Sequence, residues 1–186
     1  MNAIAAQHAA LSARFAELAS GVTDWDAPTP VKEWTARDVV NHLVTWLPGM
    51  MSGYGVDLPT VDTSGDPNRT WAAHAANVQA LVDDEEELAR RIETDQGEKT
   101  VGQAIESFYL PDIFMHQYDI AKSSGQPVGW NEEILAGIVE GMTPQADFLH
   151  ASGQFGTPRV LDESHSLEDR LAALIGRDPD WAPAAR

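Results

Sequence analysis

The sequence predicts an all-α fold, a bundle of four long helices with additional short ones. Apolar residues recur at helical spacing in several long segments, cap and stop residues bound these segments, and no strand pattern competes with them. The chain of 186 residues is long enough for one sizeable core, and it shows no internal repeat. We therefore expect a single helical domain over residues 1–186.

The first two helices are predicted from local signals in the N-terminal third of the chain. Apolar residues recur at helical spacing over residues 3–18, and Gly21 supplies a stop. Thr35 and Asp38, three residues apart, resemble an N-cap and the acidic half of a capping box, so a second helix is predicted to begin there. Residues 53–68 are rich in turn-forming residues, which predicts a loop.

The remaining helices are predicted from similar signals. A third helix is expected over residues 70–91. Thr100 can cap a fourth, which Pro111 should kink or split and which ends at Gly125. The other predicted caps are Asn131, for a fifth helix, and Ser166, for a short last helix.

Charge and composition exclude several classes of function. The net charge is −17, with only 12 Lys and Arg residues, whereas binding to nucleic acid or to an anionic membrane depends on clustered positive charge. We therefore expect neither nucleic acid nor membrane as a partner. The chain has no cysteine, so it has no thiolate nucleophile and no cysteine ligand for a metal. Any metal must be held by histidine and carboxylate groups.

The N-terminal segment does not have the pattern of a signal peptide. Polar and charged residues interrupt its small apolar residues, and it lacks a basic start followed by an apolar core. No run in the chain approaches the roughly 18 apolar residues needed to cross a bilayer. These observations predict a cytoplasmic protein.

One constellation of residues has the pattern of a metal site. Asp112 and His116 are one helical turn apart on the predicted fourth helix, and His42 lies among apolar positions of the second. Bundle cores build metal sites from side chains that project inward from facing helices, and two histidines with one carboxylate form a known catalytic arrangement. Spacing alone leaves two interpretations open, a divalent metal site or a buried hydrogen-bonded network.

Three stretches of the chain carry a resemblance to a known family: EWTARDVVNHL (Glu33–Leu43), DIFMHQYDIAKSSGQPV (Asp112–Val128) and FGTPRVLDESHSLEDRLAALIGRDPDW (Phe155–Trp181). With these stretches the sequence resembles the DinB/YfiT-like superfamily, and is similar to the N-terminal metal-binding domain of mycothiol-dependent maleylpyruvate isomerase.

The resemblance implies a DinB-like four-helix bundle in which one histidine of the second helix, and an acidic residue and a histidine four apart on a later helix, hold a divalent metal. In this sequence those residues are His42, Asp112 and His116. Zinc and nickel are the favoured ions. The isomerase has glutamate where this chain has Asp112, which is one methylene shorter.

Other polar residues are given structural roles. Asp119 is expected to form a structural hydrogen bond, and it could pair with Lys122 or orient a neighbouring group. His74 could face the site, but it is expected to be exposed or to cap a helix. Aromatic residues at helical spacing usually belong to a core or a pocket wall. The residues placed there are Trp34, Trp46, Trp71 and Tyr118, and the histidines excluded as ligands are His8, His150 and His165.

The resemblance implies a divalent-metal-dependent enzyme that uses a low-molecular-weight thiol, mycothiol or a relative, for transfer or isomerisation of a small electrophile. The alternative is a non-catalytic metal-binding module that forms a homodimer through its amphipathic first and third helices or binds another partner. A third hypothesis is metal-assisted hydrolysis with Glu33, Asp38 or Asp119 as base, but no spacing singles one out. The pattern assigns no catalytic and no cofactor-binding residue.

Overall fold

The computed structural model describes residues 2–151 and 156–183. Phe155, the first residue of the third quoted stretch, lies outside these ranges. The helices and strands are α1 (Ala3–Ser20), α2 (Ala36–Gly53), α3 (Pro67–Asp83), α4 (Glu85–Ala89), β1 (Arg91–Thr94), β2 (Gly97–Thr100), α5 (Val101–Ala104), α6 (Leu110–Ser124), α7 (Glu132–Met142), α8 (Ala146–Ala151) and α9 (Leu167–Leu174). The predicted all-α fold is thus confirmed, with one small β-hairpin added to it.

Four long helices, α1, α2, α3 and α6, form the main bundle. Helix α1 packs against α3 and α6, and α2 packs against the same two helices, so that α3 and α6 each lie between α1 and α2. The bundle interior is filled by large side chains such as Phe15 and Trp71, whose rings are 4.3 Å apart between centroids. Burying such a side chain contributes about 1.5–3 kcal/mol, which makes this core the main source of stability.

Local capping signals position the helices that carry the candidate site. The hydroxyl of Thr35 accepts a hydrogen bond from the backbone N–H of Asp38, whose carboxylate accepts one from the backbone N–H of Thr35, as predicted. Gly125 ends α6 with φ of +69°, a left-handed conformation that glycine adopts without strain. Asn131 and Ser166 cap α7 and α9 as the sequence predicts.

A second, smaller apolar cluster joins the last helices to the bundle. Buried residues of α7, α8 and α9 pack together, and Phe114 and Met115 of α6 lie against them. The ring of Phe114 stacks on that of Trp130 at 4.5 Å between centroids. The C-terminal helix is therefore attached to α6, the helix that carries two of the candidate ligands.

The structure corrects two predictions about the middle of the chain and adds detail to a third. The predicted helix over residues 70–91 is two helices, α3 and α4, separated at Asp84, whose side chain caps α4. Residues 91–100, expected to contain no strand, form the antiparallel β1–β2 hairpin with Arg91 paired to Thr100. The fourth helix is interrupted, as Pro111 predicts. The interruption is a π-helical turn over Ile105–Tyr109, which ends two residues before Pro111.

Across residues 2–151 and 156–183, no helix has both the length and the apolar character required to span a bilayer.

Candidate metal centre

His42 is placed by helix α2, which the Thr35 cap starts seven residues earlier. Its neighbours Val39, Val40 and Leu43 are fully buried and fix this face of the helix against the bundle. The imidazole of His42 remains 31% exposed, so it lies at the edge of the core rather than inside it. Helix α2 therefore presents one histidine at the boundary between the bundle interior and solvent.

Asp112 and His116 come from the first turns of α6, directly after the π-helical turn. Their i, i+4 spacing places both on one face of the helix, with side chains 19% and 6% exposed. A π-helical turn shifts the register of the residues that follow it, and such turns are frequent at functional sites. Here it precedes the two residues that meet His42.

The three side chains converge around the carboxylate of Asp112. Nε2 of His42 is 3.1 Å from Oδ2 of Asp112, and Nε2 of His116 is 3.4 Å from Oδ1. The two imidazole rings are 5.0 Å apart between centroids. One ligand atom from each residue can be chosen so that all three lie within 4.8 Å of one another.

This donor set fits a divalent metal ion. Two imidazole nitrogens and one carboxylate oxygen are ligands that zinc and nickel both accept, and zinc–ligand bonds of about 2.0–2.2 Å can bridge separations such as those around Asp112. Among the described residues, His42, Asp112 and His116 are the one group of three or more such side chains close enough to share an ion. The structure thus brings together all three residues predicted from sequence, while their binding of a metal stays a prediction.

Residues that hydrogen-bond to the candidate ligands orient them, as such residues do in known metal sites. The indole N–H of Trp46 donates a hydrogen bond of 2.8 Å to Oδ2 of Asp112. Nδ1 of His116 lies 2.8 Å from Oδ2 of Asp119, so the ring donates its Nδ1–H there and turns Nε2 toward Asp112. A ring held in this orientation can offer Nε2 to a metal ion.

The environment keeps Asp112 ionised. Burial on its own raises the pKa of this carboxyl group, but the hydrogen bonds from His42 and Trp46 and the proximity of both imidazoles outweigh burial and lower the pKa below its usual value. A charged carboxylate is the form that binds a cation. The centre is therefore electrostatically suited to a divalent ion at neutral pH.

Trp34 forms part of the wall of the site. Its ring lies 5.0 Å from His42 and 5.8 Å from His116 between centroids, and it is half-buried. The preceding residue, Glu33, has φ of +67°, a left-handed conformation that is uncommon for residues other than glycine. The indole after this turn lies against two of the three ligands. This placement agrees with the prediction that Trp34 belongs to the core or to a pocket wall.

Comparison with known protein families supports the resemblance seen in the sequence. Residues 6–53 match the family described as the mycothiol maleylpyruvate isomerase N-terminal domain. The chain is similar to this family over its first two helices. His42 lies within the matched residues, whereas Asp112 and His116 lie beyond them. No curated protein and no solved structure matches the chain.

Two structural roles differ from those expected from sequence. His74, expected to be exposed or to cap a helix, is fully buried, and its Nε2 is 2.8 Å from the hydroxyl of Tyr109. Asp119 does form a structural hydrogen bond, with His116, but its ionic partner is Arg177 and not Lys122, which pairs with Glu168.

Arg177 is one of the residues of this region whose role the sequence did not indicate. It is 58 residues from Asp119, and no periodicity or local motif links two positions at such a distance. Nδ1 of His8 lies 2.7 Å from Oε1 of Gln79, and Nδ1 of His165 lies 3.2 Å from Oδ1 of Asp162. The exclusion of these two histidines as ligands stays a prediction.

Proposed function

We propose that this protein is a divalent-metal-dependent enzyme that uses a low-molecular-weight thiol, mycothiol or a relative, for the transfer or isomerisation of a small electrophilic substrate. The observation that carries the proposal is the convergence of His42, Asp112 and His116 from two helices onto one point. The match of residues 6–53 to a mycothiol-associated family supports the choice of thiol.

The chain's own residues would hold the ion and leave one side of it accessible. Two imidazoles and one carboxylate bind a divalent cation and leave coordination positions free. An ion bound there would supply Lewis acidity, which lowers the pKa of a thiol or water that reaches it. Because the chain contains no cysteine, the thiol has to come from a small molecule.

The surroundings favour a particular side of approach. His42 is the most exposed of the three ligands, at 31%, whereas His116 is closed off at 6%. Trp34 lies against both imidazoles and occupies space beside them. A thiol would therefore reach the centre past His42, beside the indole of Trp34.

The proposal is tested with mycothiol, or glutathione as a substitute, and the chromogenic electrophile 1-chloro-2,4-dinitrobenzene. In this reaction the thiol sulfur forms a bond to the ring carbon, chloride leaves, and the thiol proton is released. Protein incubated with zinc or nickel should accelerate the reaction, and metal-free protein and His116→Ala should not. His165→Ala, which removes an exposed histidine far from the centre in sequence, is the matched control and should behave as wild type.

Two results would count against the proposal. A metal-loaded protein that accelerates the reaction of no thiol would favour the non-catalytic binding module instead. Acceleration that survives in His116→Ala would show that the reaction does not depend on this centre.

A further inference from the structure

The carboxylate of Asp119 is fully buried and is shared by two partners from distant parts of the chain. Arg177 donates from Nε to Oδ1 at 3.0 Å and from Nη2 to Oδ2 at 2.9 Å, a bidentate pairing. The same Oδ2 accepts the hydrogen bond of 2.8 Å from Nδ1 of His116. A continuous line of polar contacts therefore runs from Arg177 through Asp119 to a candidate metal ligand.

The end of α9 delivers Arg177 to this position. Gly176 is left-handed, with φ of +74°, and its N–H donates to the carbonyl of Ala173. The N–H of Arg177 donates to the carbonyl of Ala172, which completes a Schellman motif. The motif reverses the chain sharply, and the arginine side chain, only 13% exposed, enters the protein toward α6.

The ionic pairing explains how a charged Asp119 can exist inside the core. A buried carboxylate without a partner is strongly destabilising, whereas a bidentate guanidinium with additional hydrogen bonds compensates for its desolvation. Here both carboxylate oxygens are bonded, and Oδ2 still accepts from His116. Because the guanidinium holds the carboxylate in one orientation, the position of the His116 ring is also restricted.

We propose that Arg177 is a positioning residue of the metal centre, which acts through Asp119 to fix the tautomer and orientation of His116. The inference rests on the proposed function, since it requires that the centre binds a metal. Residues that orient a ligand histidine typically change metal affinity by about 10–100-fold when they are removed. A residue with only a structural role would change folding stability but not the electronic environment of a bound ion.

The test measures Co²⁺ affinity, by competition with a chelating dye, and the visible absorption spectrum of bound Co²⁺ in the full-length chain. Arg177→Gln removes the charge, and Arg177→Lys keeps the charge but loses the bidentate geometry. The matched control is Arg159→Gln, because Arg159 pairs with Asp178 next to Arg177 yet lies at the surface. Circular dichroism establishes that each variant is folded.

Arg177→Gln should bind Co²⁺ about 10–100-fold more weakly than wild type, with a changed spectrum, and Arg177→Lys should show a smaller loss with the same kind of spectral change. Arg159→Gln should match wild type. If Arg177→Gln does not fold, the double variant Arg177→Gln/Asp119→Asn leaves no unpaired charge in the core, and this variant and Arg177→Lys should still show weaker binding and a changed spectrum.

The outcomes separate this inference from the function on which it rests. A wild-type chain that binds no Co²⁺ would contradict the proposed function. Wild-type binding together with unchanged affinity and spectrum in the folded Arg177 variants would overturn the role of Arg177 alone, and would leave it as a structural link between α9 and α6.

Discussion

Asp112 is the residue on which the contacts of the candidate centre meet. It faces His42 through one oxygen and His116 through the other, and Trp46 donates to the oxygen shared with His42. The indole hydrogen bond therefore restrains the rotation of the carboxylate. The effect of this hydrogen bond on metal affinity can be measured separately from the effect of removing a ligand.

Trp46→Phe keeps an aromatic ring in place and removes only the N–H donor. We expect metal affinity to fall by roughly tenfold, at the lower end of the usual effect of partners that orient ligands, with little change in folding stability. Competition titration with a chelating dye measures the metal affinity. Trp130→Phe, which removes an indole hydrogen bond to Gln117 instead, is the control and should bind as wild type. Equal affinities in the two variants would contradict the orienting role of Trp46.

His74 gives the stability of the protein a specific pH dependence. Burial, and secondarily the nearby His8, lower the pKa of His74 to about 4. Because this value lies below the unfolded value of 6.5, the neutral ring stabilises the fold above pH 6.5, and this contribution is lost as the pH falls toward 4.

Urea unfolding of the wild type and of His74→Gln at pH 7 and pH 4 tests this effect. The unfolding free energy of the wild type should decrease more than that of the variant, by on the order of 3 kcal/mol. Other groups titrate in the same range in both proteins, so the difference between the two decreases isolates His74. Equal decreases would mean that the ring is not buried in its neutral form.

The sequence selected three residues that the structure brings together, but it did not identify the residues that support them. The i, i+4 spacing of Asp112 and His116, together with the family resemblance, was enough to select them with His42. The partners Trp46 and Arg177 were not identified as such, because hydrogen bonds between helices depend on packing angles and rotamers that leave no periodic signal.

At the scale of elements, the turn after α9 depends on a single glycine. Gly176 has a left-handed backbone, and a Cβ atom added to it would lie 2.4 Å from the backbone of Gly156. A left-handed conformation costs other residues about 1–2 kcal/mol, and the overlap with backbone atoms adds to this cost. The turn should therefore tolerate no larger residue.

Gly176→Ala should lower the free energy of unfolding by at least about 1–2 kcal/mol and should weaken metal binding, because the same turn directs Arg177. Gly137→Ala is a control of opposite sign. Gly137 is inside α7 with open space around it, so the substitution should stabilise the protein by roughly 0.5–1 kcal/mol. Urea denaturation of both variants measures the two effects. A stabilising Gly176→Ala would contradict the described turn.

Most helices were predictable because their boundaries are encoded locally. Thr35, Asn131 and Ser166 act as caps, and Gly125 as a stop, through contacts within a few residues. The β1–β2 hairpin was missed because its strands have four residues each and bury only Ile92 deeply, so neither strand shows an apolar alternation. The glycine at position 97 was the sequence signal that could have indicated the turn. In the structure it adopts φ of +95° there.

At the scale of the whole molecule, the excess of negative charge should oppose folding. The chain has 29 Asp and Glu residues against 12 Lys and Arg, and a compact state brings these like charges together. Raising the ionic strength from about 0.01 M to about 0.15 M shortens the screening length from about 30 Å to about 8 Å. Repulsion between distant surface charges should weaken accordingly.

We expect the thermal midpoint of unfolding to rise over this range of NaCl concentration, as measured by differential scanning calorimetry on metal-free protein. Potassium chloride should give the same increase, because screening depends on ionic strength and not on the identity of the ion. A midpoint that falls with salt would show that attractive ion pairs outweigh the net repulsion.

His42, Asp112 and His116 are predicted to hold one divalent ion, and the metal content of the purified protein tests this prediction. Purified protein is incubated with zinc or nickel, freed of excess ion, and analysed by mass spectrometry for bound metal beside His42→Ala, His116→Ala and the control His165→Ala. We predict about one ion per chain in the wild type and the control, and loss of the ion in both other variants. No bound ion in the wild type, or an ion retained in both His42→Ala and His116→Ala, would contradict the claim.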